Sequence, residues 1–307
     1  MPAHAGNAAG NIFIGTASWT DKTLISSGFY PKEANDAESR LRFYADNFPI
    51  VEVDSTYYFP PSDRNVLAWV NRTPESFTFH IKAYSLLTKH PTRPNSLAKD
   101  LAEVAKPELK GKFLYSTHLP ETVMDEVWRR FAASLMPLHS SGKLGVVHFQ
   151  FPEWFLPGTE SRNYLIECQD RLPDYRIAVE FRNSLWLEGR NAERTLKFLE
   201  SNNIPITSVD MPQGFRSSLP PVASATAKDI AYVRFHGRNV EQWDKPQEIA
   251  TPRFAYLYSQ EELQGWVPKI QELSGRVEEV HVLMNNCYRD YAVTNARQLA
   301  DLLEPND

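Results

Sequence analysis

Charged and strongly polar residues alternate with apolar ones in several short runs of this chain, and the alternation has a period of two. Glu52 and Asp54 interleave with Val51, Val53 and Ser55; His80 and Lys82 with Phe79 and Ile81; His148 and Gln150 with Val147, Phe149 and Phe151. Further along, Glu180 and Arg182 follow Val179 and flank Phe181, Asp210 follows Val209, and Arg234 and His236 alternate with Val233 and Phe235. A period of two is that of a strand, whose successive side chains point to opposite faces, so each run carries its polar groups on one face. Chemistry follows from the types. Glu52 or Glu180 could serve as a general base and Lys82 or His236 as a general acid, while the guanidinium forks of Arg182 and Arg234 suit a carboxylate or phosphate.

Three other readings compete for the same residues. Glu52, Asp54, Glu180 and Asp210 nearly balance Lys82, Arg182 and Arg234, so the set could be a structural ion-pair network, since a buried charge costs several kcal/mol unless paired. Three inward histidines beside carboxylates suggest a divalent metal, with Glu180, Asp210 and His236 as ligands of a metal-assisted phosphodiesterase acting on nucleic acid. Fixed cations among such ligands would repel a metal, so the expectation is no metal cofactor. A non-catalytic module that binds a regulatory ligand is the third. The leading expectation is an enzyme acting on a small anionic, sugar-like substrate, phosphorylated or carboxylated. Trp19 and Tyr57 follow strand ends and could stack on a sugar. Asn285 and Asn286 end the last run and offer neutral donors and acceptors, although parity does not say which of them points inward. Cys287 lacks a histidine at any activating spacing, and a Schiff base on Lys82 has no further residue in support.

The elements that must position these groups are legible in the same periodicities. Strand-like runs fall at 12–18, 50–56, 78–84, 144–151, 176–182, 206–211, 230–237 and 279–286. Amphipathic helical patterns lie between them at 37–48, 63–71, 121–139, 160–172, 190–203, 259–273 and 291–303, leaving only 212–229 without one. Eight strands, seven of them followed by a helical pattern, predict a (β/α)₈ TIM-type barrel of parallel strands. An open doubly wound sheet is the alternative; it would place a glycine-rich phosphate loop after the first strand, where Gly15-Thr16-Ala17-Ser18-Trp19 stands instead. In a barrel the inward parity converges at the C-terminal mouth, so Glu52, Lys82, Glu180, Arg182, Arg234 and His236 should line one cavity. The connection after the third strand, 85–143, is enlarged; it contains a helical pattern at 95–105 and a further hairpin or strand at 111–117.

Composition narrows the partners. Of 307 residues 42% are hydrophobic, enough for one full core, and the span 12–307 is expected to be a single domain behind a disordered leader at 1–11. A net charge of −5 disfavours nucleic acid unless a local basic patch forms. No stretch reaches the ~18 apolar residues of a membrane span. Two cysteines, Cys168 and Cys287, neither in a CxxC spacing, fit a reducing, cytoplasmic setting.

The ordered motifs carry a resemblance. Gly15-Thr16-Ala17-Ser18-Trp19, Phe29-Tyr30-Pro31, Val51-Glu52-Val53-Asp54-Ser55-Thr56-Tyr57-Tyr58, His80-Ile81-Lys82-Ala83, Phe149-Gln150-Phe151-Pro152, Val179-Glu180-Phe181-Arg182, Tyr232-Val233-Arg234-Phe235-His236-Gly237-Arg238 and Asn285-Asn286 run in one series. Together they resemble the YecE-like family, domain of unknown function seventy-two, from about residue 12 to residue 303. The resemblance implies a TIM-type barrel, with Glu52, Lys82, Gln150, Glu180, Arg182, Arg234, His236 and Asn285 on family-typical positions, and no established activity. Asp54, Asn183 and Cys287 depart from the Asn, His and His often found in the family, which further weakens a histidine-held metal.

Overall fold

The computed structural model describes residues 4–7, 10–105, 113–245 and 251–304. Eight parallel strands form the barrel: β2 (Gly10–Thr16), β3 (Ile50–Val53), β4 (Thr78–Lys82), β5 (Leu144–Gln150), β6 (Ile177–Glu180), β7 (Thr207–Asp210), β8 (Ile230–Phe235) and β9 (Glu279–Met284). The sheet runs β6-β5-β4-β3-β2-β9-β8-β7. Between its two ends the contact shrinks to the bridge Val179↔Ile206 and one backbone bond, Val179 N to Pro205 O at 2.9 Å, so the barrel is nearly closed. Every strand stops one to three residues before the end of its apolar run. In β3 the backbone turns at Asp54 into a 3₁₀ turn (Asp54–Tyr57), which puts polar groups on the mouth instead of in a ladder.

Helices sit where the 3.6-residue pattern predicts: α2 (Ala37–Asn47), α3 (Asp63–Asn71), α5 (Glu121–Ser140), α6 (Thr159–Arg171), α7 (Arg190–Ser201) and α10 (Tyr291–Leu303), preceded by a short α1 (Lys22–Ser26). Their apolar faces and the outward parity of the strands make one continuous core, from Ile12 and Ile14 through Phe149 and Phe181 to Leu299. No helix occurs at 212–229. The single helix expected at 259–273 is two, α8 (Gln260–Gln264) and α9 (Val267–Ser274), because Pro268 has no N–H to give the preceding turn and its ring would meet the carbonyl of Gln264.

The leader also differs from expectation. β1 (His4–Asn7) pairs antiparallel with β2, in register His4↔Phe13 to Asn7↔Gly10. Along this stretch β3 does not reach β2, since their ladder begins at Gly15↔Ile50. An unpaired strand edge is thereby covered by the chain's own leader. Residues 1–3 and 8–9 lie outside the described set. In the enlarged connection, α4 (Lys99–Ala105) is the helix expected at 95–105, shortened by a 3₁₀ turn (Pro94–Ser96). The strand expected at 111–117 is reduced to the bridge Thr92↔Leu114 and a 3₁₀ turn (Ser116–His118), with 111 and 112 outside the described residues.

Candidate active site at the barrel mouth

Beneath the mouth lies a layer of charge with no access to solvent: Glu52, His148, Glu180, Arg234 and His236 are all fully buried. Arg234 is its hub. One terminal nitrogen donates to Glu52 Oε1 at 2.6 Å and the other to Glu180 Oε2 at 2.8 Å. Tyr232 OH donates to Glu52 Oε2 at 2.9 Å, and the His148 ring lies between the two carboxylates, 3.3 Å from Glu52 and 3.4 Å from Glu180. Glu180 is further held by Arg182 Nε at 2.7 Å and lies 3.1 Å from His236 Nε2. Burial works to raise both glutamates, but the facing charges outweigh it. Arg234 and His148 hold Glu52, and Arg182, His236 and Arg234 hold Glu180, well below the usual carboxylate range. Burial, with Arg182 and Arg234 adding to it against Glu180, pushes His236 down to about 3.

Above this layer opens a cavity of about 620 Å³. Asp54, Tyr57, Lys82, Gln150, Arg182 and Asn285 line it. The 3₁₀ turn that presents Asp54 and Tyr57 is fixed by Thr56, whose hydroxyl makes 2.7 Å contacts with the carbonyls of both Val53 and Lys82. Lys82 Nζ lies 3.6 Å from Asp54 Oδ1 and 5.2 Å from the Tyr57 ring. Asp54 keeps 35% of its side-chain surface open, and its Oδ1 accepts no hydrogen bond. Removal from bulk water, opposed by Lys82 and reinforced by the Glu52 carboxylate, raises its pKa to about 6. On the far wall Arg182 lies 5.3 Å from the Trp243 ring, and Arg253 lies 5.7 Å from the same ring. Trp243 Nε1 donates to Ser217 Oγ at 2.9 Å, which ties together the connections after β7 and β8.

The fourteen residues singled out in the sequence therefore divide. Asp54, Tyr57, Lys82, Gln150, Arg182 and Asn285 meet at the cavity. Glu52, Glu180, Arg234 and His236 converge with them but lie below, absent from the cavity wall. This corrects the expectation that Arg234 faces a ligand: it is fully buried, and each of its terminal nitrogens donates to one of two buried carboxylates that need a counter-ion. His80 is deeper still, its Nε2 2.9 Å from His281 Nδ1 and its Nδ1 accepting from Val146 N at 3.0 Å. Gly145 makes room for it, because a Cβ there would come within 2.5 Å of the ring.

Three candidates fall elsewhere. Trp19 packs edge-on against Trp69 and Phe79 beside a second cavity of about 260 Å³, which Glu52 and Asp54 also line. Asn286 turns away from the barrel axis, donating to Tyr256 O and Asn295 Oδ1, and Asn285 is the inward one, 2.7 Å from His236 Nδ1. Asp210 pairs in register with Phe235, which packs on Trp266, so it faces the helices. There it accepts from Arg238, Tyr258 and Trp266. Glu180, Asp210 and His236 therefore do not form one ligand set. Among the described residues no three His, Cys, Asp or Glu side chains are arranged to hold a metal ion. The sequence reading missed His90 and Arg253 on the cavity wall; His90 stands in a loop and Arg253 in a single 3₁₀ turn (Thr251–Phe254), where no periodicity points to them.

A barrel of eight parallel strands whose mouth carries an ion-paired floor and an open, cation-bearing cavity defines the class: a TIM-type barrel protein with its candidate site at the C-terminal ends of the strands. Residues 13–307 match the family described as "Protein of unknown function DUF72". The chain belongs to this family, for which YecE-like is an equivalent label. It is 34% identical over 296 residues to the UPF0759 protein YunF of Bacillus subtilis, covering 95% of each chain. Among solved structures, a DUF72 family protein from Enterococcus faecalis superposes with a TM-score of 0.77 at 26% identity, covering 96% of both chains. One from Thermotoga maritima gives 0.75 at 29% identity, covering 96% of this chain and 99% of that one. No helix among the described residues is long and apolar enough to cross a membrane.

Proposed function

We propose that the mouth cavity binds a small organic anion, phosphorylated or carboxylated and sugar-like, and that the protein is an enzyme in which Asp54 carries the proton. The observation that supports this most directly is Lys82. Its side chain is 16% exposed and lines the cavity, and its ammonium group makes no hydrogen bond to any described residue, the nearest carboxylate oxygen standing 3.6 Å away. A desolvated ammonium has three donors to satisfy, and an anionic ligand supplies the acceptors. Tyr57, half-buried on the cavity wall, provides a flat apolar face of the kind that stacks on a sugar ring. The acid–base role passes from Glu52 and Glu180 to Asp54. The two glutamates are fully buried, absent from the wall of the mouth cavity and held ionised, whereas Asp54 reaches that cavity and titrates near 6, in the range a general acid–base group needs.

Titration of the protein with phosphosugars, sugar acids and inorganic phosphate, read as a rise in melting temperature, tests this reading. At least one should stabilise the wild type, and Lys82→Met should lose that response while melting within a few degrees of the unliganded wild type. A panel without effect on the wild type, or a Lys82→Met variant that responds as the wild type does, would overturn it.

A further inference from the structure

His90 sits on the cavity wall, and the sequence between β4 and α5 is built to put it there. After the 3₁₀ turn Ser85–Thr88 the backbone reverses at Lys89, whose φ of 62° is left-handed. That turn is locked on several sides. The Lys89 carbonyl accepts from Trp154 Nε1 at 3.3 Å, Lys89 Nζ lies 3.6 Å from the Tyr164 ring, and His90 N donates to Ser85 O at 3.1 Å. A left-handed non-glycine residue held by this many contacts is the kind of local strain that accompanies a positioned side chain.

The ring's orientation follows from Thr88. The Thr88 hydroxyl donates to Ser85 O at 3.1 Å, which uses its only hydrogen, and its oxygen lies 2.8 Å from His90 Nδ1. With the Thr88 hydrogen on the Ser85 carbonyl, we assign the ring hydrogen to Nδ1, where Thr88 accepts it, and Nε2 keeps its lone pair and makes no hydrogen bond to a described residue. The groups around that ring are Lys82 from β4, Arg182 from the end of β6, the Tyr57 ring at 5.3 Å and the Trp154 ring at 6.0 Å. Both charged neighbours are cations. Burial, with Lys82 and Arg182 acting in the same direction, keeps the ring unprotonated down to about pH 3. An acceptor atom placed among cations is an unfavourable place for a bare anion's oxygen, yet a favourable one for a proton shared between that atom and an anion.

We propose that Lys82, Arg182 and His90 together hold a tetrahedral dianionic group, a phosphoryl or sulfuryl group, and that the group is taken up with one proton, which resides between His90 Nε2 and one of its oxygens. This rests on the anion-binding reading above and deepens it. Three donors reaching in from separate segments suit oxygens pointing in several directions, whereas a planar carboxylate is matched by a single fork. The anion's charge cancels the repulsion that the two cations exert on an imidazolium, and the proton balance closes because one proton leaves solvent for each anion bound.

Sulfate is the suitable probe, since it carries no proton of its own near neutrality, and Asp54→Asn is the suitable background, since it removes the other group that titrates in this range. In that background sulfate should bind up to tenfold more tightly for each unit the pH falls from 8 to 6. Calorimetry in two buffers of different ionisation heat should show about one proton absorbed per sulfate at pH 6. Adding His90→Gln should leave the affinity at pH 8 within a few-fold and flatten the pH dependence. Acetate should bind at least tenfold more weakly than sulfate at pH 6. An unchanged pH slope with His90→Gln, or acetate binding as well as sulfate, overturns this inference alone. Failure of sulfate, phosphate and the organic anions alike to bind the wild type at pH 6 overturns the anion-binding reading with it. Melting temperatures of both variants distinguish lost binding from lost fold.

Discussion

Two aspartates end neighbouring layers of the same barrel and live in opposite circumstances. Asp210, at the end of β7, faces the helices and accepts four hydrogen bonds, from Arg238 Nε at 2.8 Å and from Arg238, Tyr258 and Trp266 at 2.7 Å each. Asp54, just past β3, faces the mouth, and its closest cation stands 3.6 Å away without a hydrogen bond. The first carboxylate is complete. It fastens the segment after β8 and the α8–α9 region onto the sheet, and it has no lone pair left for a ligand. The second is under-coordinated in a cavity, which is where a fold leaves capacity for something it does not itself contain. The same residue type at equivalent strand ends thus reads as a clamp or as chemistry according to how many of its acceptor positions are filled.

The sharpest break of that comparison lies in the layer beneath Asp54. Glu52 and Glu180 resemble Asp210 in being buried and ion-paired, but both depend on one guanidinium. Arg234→Met would leave two buried carboxylates sharing only His148, Tyr232, Arg182 and His236. A loss of roughly 3 to 5 kcal/mol in urea unfolding is expected, the cost of stranding a buried charge. A loss under about 1 kcal/mol would show that this layer is not the structural floor described above.

Asp210→Asn should cost less, about 2 kcal/mol, the scale of hydrogen bonds to a charged group. Its carboxylate is buried, but Arg238 keeps a third of its surface in water and can rehydrate. An amide NH₂ must meet at least one of the donors now on Asp210, so no rotamer avoids the mismatch. The same variant should leave anion-dependent stabilisation intact, and a loss of that response would place Asp210 in the functional site after all.

The division between clamp and chemistry was only partly visible in the sequence. In β3, β4, β5 and β6 apolar and polar residues alternate cleanly, so the inward groups could be read from parity, and they do converge. β7 reads Thr207-Ser208-Val209-Asp210, where alternation is weak. The register settles it: Val209 is paired with Arg234 and so shares its inward direction, while Asp210 goes with Phe235. Asn286 was ambiguous because both neighbours in the pair are asparagines. Arg234 was placed on the correct side of the strand, but sequence parity does not report depth, and depth separates a floor from a wall. His90 stands in an irregular segment whose direction is set by contacts such as the left-handed Lys89, and Arg253 in a single 3₁₀ turn, and a local pattern carries no trace of either.

The finest test of the comparison is the pH dependence of Asp54 itself. Its pKa in the folded protein, about 6, lies above the ~3.9 of an aspartate in an unfolded chain, so between these values the folded state binds more protons. The sign follows. Asp54 contributes no penalty below about pH 4, where both states are largely protonated; the penalty grows as the pH rises from about 4 to 6 and stays constant above, where the folded carboxylate is ionised against burial and Glu52. Asp54→Asn removes that penalty. Because a third of the side chain remains in water, the gain is screened to about 1 kcal/mol. The variant should therefore melt a few degrees higher than the wild type at pH 7.5 and match it at pH 4. If Asp54→Asn lowers the melting temperature at pH 7.5, then Asp54 is bound into the fold as Asp210 is, and the case for it as the proton-carrying group of the cavity fails.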